Sequence, residues 1–259
     1  MKAIILAAGK GTRLDGAAVK PKCLVEVGGS TLLQRQIDTL RSLGVRKIVV
    51  VVGFGADSIR EECDDEISFV ENDVFADTSS LYSLWLAREH LTDGFVVLNS
   101  DVLFHPQMLA DLLESDHGDA LLISDSDPSP LGDEEMKIKM RDRFVVDISK
   151  QMDPLEADGE NVGIVKFSAP GAKFLIEYMN ALIGSGELKH WAPRAFLEFA
   201  RNHPLHALST RGLPWIEIDF PEDYQRAVNE VLPRIEAMAG VWSSSIASLR
   251  PAVTTFDEP

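Results

Sequence analysis

Ala7-Ala8-Gly9-Lys10-Gly11-Thr12-Arg13 places two glycines and two cations directly behind an apolar run that ends at Leu6. Small side chains at Ala7 and Ala8 let a flat group approach the backbone. Gly9 and Gly11 allow tight turns and leave amide N–H groups to face anions, while Lys10 and Arg13 add positive charge. These features make a phosphate cradle. The spacing is not that of a Walker loop, and Leu14 stands where a dinucleotide fingerprint needs its third glycine. Taken alone, the same residues also suit a glycine-rich turn with solvated cations. Downstream, Lys20-Pro21-Lys22 sets two lysines around a proline, whose fixed φ can hold a lysine at constant distance from a phosphate.

A third chemical feature is an acid at a strand end. Phe95–Leu98 reads as a buried strand, and Asn99-Ser100-Asp101 follows it. In an open α/β sheet, ligands bind at the carboxyl ends of the strands, which is where Asp101 and the glycine-rich loop both fall. Magnesium takes hard oxygen ligands, commonly one or two carboxylates together with substrate phosphates and water. Asp101 is thus the first candidate ligand. Further on, Trp215–Ile218 reads as a strand and Pro221–Met238 as a helix, with Glu217 and Asp219 in and after the strand. Asp219 also suits the cap of the helix that Pro221 opens.

The elements that must position these groups follow a β-α rhythm. Ala3–Leu6 and the β-branched run Val45–Val52 read as buried strands, with a helix between them through Leu33, Ile37 and Leu40. Thr31 and Gln34 suit the start of that helix as a capping box. Short helices over Ala56–Glu62, around Leu81–Arg88 and over Pro106–Glu114 alternate with strands at Ile67–Val70, Phe95–Leu98 and Ala120–Ile123. Such alternation favours a mostly parallel sheet with right-handed crossovers. The rhythm breaks at a polar, Pro- and Gly-containing loop around 125–133. Beyond it, Met136–Met140 and Phe144–Ile148 suit a hairpin and Val162–Phe167 a further strand. The pattern predicts one α/β domain over residues 1–238, with a small β-rich insertion at about 125–210 and a loosely ordered tail over 239–259.

Composition narrows the partners. The formal net charge of −16 opposes nucleic acid and anionic membrane surfaces. Two cysteines, Cys23 and Cys63, make no disulfide framework and no metal spacing, which suits a reducing cytoplasm. The apolar N-terminal run is too short for a signal peptide or a membrane span. A soluble cytoplasmic monomer or homodimer is expected.

Taken together, LAAGKGTRL and KPKCLVEV resemble the opening signature of the nucleotidyltransferase family that includes sugar-1-phosphate nucleotidyltransferases. The resemblance runs over most of residues 1–230. It implies a Rossmann-like, mostly parallel mixed sheet flanked by helices, of the nucleotide-diphospho-sugar transferase type. It also implies a metal carboxylate in the second strand-to-helix turn, where Asp219 matches and Glu217 is its neighbour.

The stretch Glu71–Leu84 is similar to that of CTP-dependent cytidylyltransferases acting on phosphocholine, aminoethylphosphonate and inositol phosphate. This resemblance implies Mg²⁺-dependent transfer of CMP from CTP to a small phosphate or phosphonate acceptor. A sugar-1-phosphate nucleotidyltransferase using UTP, dTTP or GTP is the alternative. A molybdopterin-type guanylyltransferase shares the opening motif, and a non-catalytic nucleotide-binding regulator is the rival of another class. The implied nucleotide contacts are Leu6, Ala7, Ala8, Gly9, Lys10, Gly11, Thr12, Arg13, Lys22, Thr78, Ser79, Ser80 and Ser100, with Lys22 and Arg13 catalytic. The implied acceptor contacts are Asp101, Glu135, Lys137, Glu160, Asn161, Trp191 and Glu217, and the metal ligands Asp101 and Asp219.

Overall fold

The computed structural model describes residues 1–11, 20–126 and 131–238. Thr12 and Arg13 of the glycine-rich loop, and the tail 239–259, lie outside the described residues. The chain opens with β1 (Lys2–Ala7), a 3-10 turn (Lys22–Leu24), a hairpin of β2 (Glu26–Val27) and β3 (Ser30–Thr31), and α1 (Leu32–Ser42). Then come β4 (Ile48–Val52), α2 (Ala56–Glu61), β5 (Ser68–Glu71), α3 (Ser80–Leu86), β6 (Phe95–Asn99), β7 (Val102–Phe104), α4 (Pro106–Glu114) and β8 (Ala120–Ser124). The remainder is β9 (Lys137–Arg141), β10 (Phe144–Ser149), β11 (Gly159–Phe167), α5 (Ala169–Gly184), α6 (Pro193–Asn202), β12 (His206–Ser209), β13 (Trp215–Glu217) and α7 (Pro221–Arg226).

Nine strands form one mixed sheet in the order β5-β4-β1-β6-β11-β8-β12-β10-β9. The first four pair in parallel, whereas β11 runs antiparallel to both β6 and β8. Strand β9 pairs with β10 and also back onto β11, so the second half of the sheet curls on itself and buries that edge. The apolar runs of β1, β4 and β6 are explained by burial on both faces. Ile4, Val49, Val51, Phe95 and Val97 pack on the side covered by α3, α5 and α6. Ala3, Ile5, Val50, Val96 and Leu98 pack on the opposite side with residues of α1, α2 and α4. Thr31 caps α1 by accepting a hydrogen bond from the Gln34 amide at 3.1 Å, which agrees with the expected helix start.

Two local features differ from the sequence pattern. The closing helix is not continuous: α7 ends at Arg226, and the π-helical turn Ala227–Val231 follows before helix resumes over 232–238. The three-residue strand β7, directly after Asp101, is too short to give a period of its own. It pairs antiparallel with β13 in a separate ribbon. Val27, Leu32, Leu103, Ile216, Ile218, Val231 and Leu232 bury this ribbon beneath the closing helical segment.

Candidate active site

The ribbon decides where the acids fall. Glu217 stands opposite Val102, and the Ile218 amide donates to the Asp101 carbonyl at 3.0 Å. This register carries Asp101, Glu217 and Asp219 to one place. One carboxylate oxygen from each lies within 4.8 Å of the others. The capping task open to Asp219 is carried out by Asp223, whose Oδ2 accepts from the Asp219 and Phe220 amides at 3.0 and 2.9 Å. Asp219 itself turns to Lys22.

Lys22 sits in the 3-10 turn, with its neighbours Cys23 and Leu24 buried beneath it. Its Nζ donates to Asp101 Oδ2 at 3.0 Å and to Asp219 Oδ1. Burial alone would lower the ammonium's pKa, but the charges and hydrogen bonds of Asp101 and Asp219 outweigh it and hold the pKa above its ordinary value. Lys22 therefore stays charged. Among the described residues no hydrogen bond or ion pair to Glu217 is found; burial first, and then the charges of Asp101 and Asp219, push its pKa up to about 8. Three clustered carboxylate donors are a hard oxygen set and fit Mg²⁺. Burial, ahead of the charge of Asp101, pushes the Cys23 thiol up, away from reactivity.

The glycine-rich loop abuts this cluster. Ala7 and Ala8 are buried, and the Ala8 carbonyl accepts from the Phe54 amide at 3.1 Å. Gly9 has open space where a side chain would stand. Gly11 has φ +57°, and a Cβ there would lie 2.9 Å from Lys22 Cβ, so only glycine lets the loop lie against the lysine stem. Lys10 is exposed, its Nζ 5.8 Å from the Phe75 ring centroid. The Ser100 amide donates to the Leu6 carbonyl at 3.4 Å, which ties β1 to the Asp101 turn.

An open cavity of about 470 Å³ lies over the loop, and its wall includes Lys10, Lys22, Ser100, Asp101, Asn161 and Trp191. Thr78, Ser79 and Ser80 line its far side. Thr78 Oγ1 donates to the Val74 carbonyl at 3.0 Å, and Ser80 Oγ accepts from the Ala192 amide at 2.9 Å, so both hydroxyls also hold the site's own frame. Ser79 stands at the α3 N-cap without a capping bond. The hub here is Asn72, which sequence reasoning missed. It is buried, donates to Thr78 and Ser83 at 3.0 and 3.1 Å, and accepts from the Val74 amide at 3.2 Å. An asparagine directly behind the strand β5 was the available signal.

A second cavity, about 730 Å³, adjoins the first; Glu134, Glu217 and Asp219 line both. Glu135 and Glu160 face the second. Lys137 lines neither of these two cavities. It is fully buried, and its ammonium donates to the carbonyls of Lys150 at 2.7 Å and Glu135 at 3.4 Å. A buried lysine satisfied by two carbonyls ties the loop ends around the β9–β10 hairpin together. Lys150, which no motif marked, reaches the first cavity beside Lys10 and Lys22. Its Nζ lies 4.9 Å from the half-exposed Trp191 ring and 3.5 Å from Glu134. No helix among the described residues is long and apolar enough to cross a membrane.

Known proteins resemble the chain in sequence and in fold. Over 119 residues (44% of the chain), it is 38% identical to choline-phosphate cytidylyltransferase of Streptococcus pneumoniae, matching 51% of that protein. Over 235 residues (89% of the chain), it is 29% identical to the bifunctional IPC transferase and DIPP synthase of Rubrobacter xylanophilus, matching 52% of it. The chain thus spans about half the length of these curated relatives. The solved structure of CTP:phosphocholine cytidylyltransferase from Streptococcus pneumoniae superposes with a TM-score of 0.69 at 26% identity, covering 87% of this chain and 96% of that one. Residues 3–217 match the model of one family, and by that match the chain belongs to the MobA-like NTP transferase domain family of nucleotidyltransferases.

Proposed function

We propose that the chain transfers CMP from CTP to a small phosphate or phosphonate acceptor and releases pyrophosphate, with Mg²⁺ held by Asp101 and Asp219 beside Glu217. The observation that carries this reading is the Lys22 ammonium held between Asp101 and Asp219 against the glycine-rich loop. Cytidylyl transfer by relatives named for phosphocholine supports the choice of nucleotide and acceptor class. An acceptor oxygen attacks the α-phosphorus of CTP, a new P–O bond forms, and the bond to pyrophosphate breaks. A phosphate monoester is largely dianionic at neutral pH, because its second pKa is about 6. No side chain has to remove a proton, so positioning and charge neutralisation make up the catalysis.

In this reading, Lys22 steadies the α-phosphate and the incoming oxygen. The amides of Gly9–Thr12, with Lys10 and Arg13, hold the β- and γ-phosphates. The metal, when bound, neutralises triphosphate charge. Thr78, Ser79 and Ser80 flank the base, and Asn161, Glu160 and Glu135 flank the acceptor. The reading of residues 1–238 as one domain is supported by the nine-stranded sheet, which includes strands from both β1 and the 125–210 region.

The test is pyrophosphate release with Mg²⁺ and each of CTP, UTP, ATP, GTP and dTTP. The acceptors are phosphocholine, phosphoethanolamine, 2-aminoethylphosphonate, inositol 1-phosphate and several sugar 1-phosphates. Release with CTP and one small phosphate or phosphonate is the expected result. Release only with another nucleotide and a sugar phosphate would overturn the cytidylyl reading.

A further inference from the structure

Gln36 interrupts the apolar face of α1. The buried residues of that helix are Leu32, Leu33, Gln36, Ile37 and Leu40, so an amide stands where the pattern calls for an apolar side chain. Gln36 is only 1% exposed. Its Nε2 donates to two carbonyls, that of Asn99 at 2.9 Å and that of Val102 at 2.9 Å. Carbonyl oxygens only accept, so the amide nitrogen has to face them and the orientation of the side chain is fixed. Its Oε1 is shut off from solvent and has no hydrogen-bond partner among the described residues. That stranded oxygen offsets much of what the two hydrogen bonds contribute to stability, which leaves geometry as their main effect.

We infer that Gln36 is a positioning residue, which clamps the Ser100-Asp101 turn to α1 and so sets the Asp101 carboxylate against Lys22. Asn99 is the last residue of β6 and Val102 the first of β7, so the two bonds grip both ends of that turn. The chain passes there from the nine-stranded sheet to the β7–β13 ribbon, and the clamp is a side-chain link between the two. The same helix packs on the 3-10 turn that carries Lys22. Leu33 and Ile37 share one apolar cluster with Cys23, Leu24 and Val102, and the Leu32 amide donates to the Val25 carbonyl at 3.1 Å. One helix thus ties the turn of the ammonium to the turn of its carboxylate partner. The inference rests on the proposed reaction for the role of Asp101 as a metal ligand.

The test is Gln36→Met, which keeps the length of the side chain and removes both donors. The helix pattern accepts an apolar residue there, so the fold is kept. Ile37→Val and Ile37→Ala, in the same helix and cluster, bracket a loss of stability by cavity formation without removing a hydrogen bond. Mn²⁺ binding without nucleotide, followed by loss of the free-ion EPR signal, needs no turnover. Gln36→Met should weaken Mn²⁺ binding by about 10-fold and lower kcat by about 10- to 100-fold, with KM for CTP changed less than kcat. Both Ile37 variants should lower Tm and leave Mn²⁺ affinity and kcat close to wild type. Wild-type Mn²⁺ affinity and kcat in Gln36→Met, or losses matched by an Ile37 variant of the same Tm, would overturn the inference. Asp101→Asn separates the two readings. If it weakens Mn²⁺ binding and Gln36→Met does not, the inference fails and Asp101 stays a ligand. If neither weakens it, the assignment of Asp101 as a metal ligand fails, and the positioning role with it.

Discussion

Lys22 Nζ lies 3.0 Å from Asp101 Oδ2 and is hydrogen-bonded at the same time to Asp219, so one ammonium balances two acids that are far apart in the chain. The side chains are only 11%, 21% and 15% exposed, which leaves little solvent to screen them. Removing one partner from such a group strands charge in a poorly solvated place, at a cost on the order of 3 kcal/mol. Lys22→Ala should therefore lower the Tm of the metal-free protein, and Mg²⁺ should restore more of it than Mg²⁺ adds to the wild type. Turnover should fall by about 1,000-fold even when folding is restored. Thermal melts with and without Mg²⁺, beside the pyrophosphate assay, check this. A turnover close to wild type removes Lys22 from the mechanism.

Gly11 tests the same lysine from the other side. An added Cβ would sit 2.9 Å from Lys22 Cβ, on a backbone with φ +57°. Gly11→Ala should cost about 1 kcal/mol of stability through the left-handed backbone. It should lower kcat by about 10- to 100-fold by displacing the ammonium. A kcat unchanged beside the expected stability loss would show that the lysine tolerates the shift.

Much of this arrangement was legible because the decisive signals were local. The glycine-rich loop, Lys22 and Asp101 each stand at a strand end or tight turn, where residue type and backbone need coincide. The meeting of Asp101 with Asp219 was not readable from pattern alone, because it depends on the β7–β13 register and β7 is three residues long. Lys137 was implied by resemblance alone; its burial and its two carbonyl partners come from tertiary packing that no local pattern shows. Lys150 and Asn72 carry no motif. Their importance comes from tertiary neighbours, Trp191 and Glu134 for one and Thr78 and Ser83 for the other. The β11 bulge between Asn161 and Val165 is a similar case: Gly163 has φ +79°, and a Cβ there would lie 2.6 Å from Asn99 Nδ2.

Asp223 holds Asp219 indirectly, through the amides of Asp219 and Phe220. Asp223→Ala should cost about 1 kcal/mol of stability, as the loss of a helix-start cap does. It should also weaken Mg²⁺ activation by about 10-fold, as outer partners of metal ligands do when removed. Asp223→Asn, which keeps an acceptor, should recover most of both. The Mg²⁺ concentration for half-maximal activity separates the two effects. If it does not move while Tm falls, Asp223 serves the fold alone.

His105 makes a pH prediction away from the catalytic groups. It is buried at the start of α4, where Nδ1 accepts from the Gln107 amide at 3.1 Å, so the ring proton is on Nε2. Burial holds its pKa below the ordinary histidine value of 6.5, and nearby Asp111 offsets this only in part. A second proton would have to displace the Gln107 hydrogen bond and charge a buried ring. The unfolded chain therefore binds the proton first as pH falls. This group's contribution is complete above about pH 6.5 and is lost as pH falls through its lower folded value. His206 is shifted in the same direction, by burial and by its stacked neighbour His117, and adds a slope of the same sign. His105→Asn keeps an N-cap acceptor and removes the titration. Melts between pH 7.5 and 5 should show a shallower loss of Tm in that variant than in the wild type. Equal slopes would mean that His105 takes up its proton in the folded state as readily as in the unfolded chain.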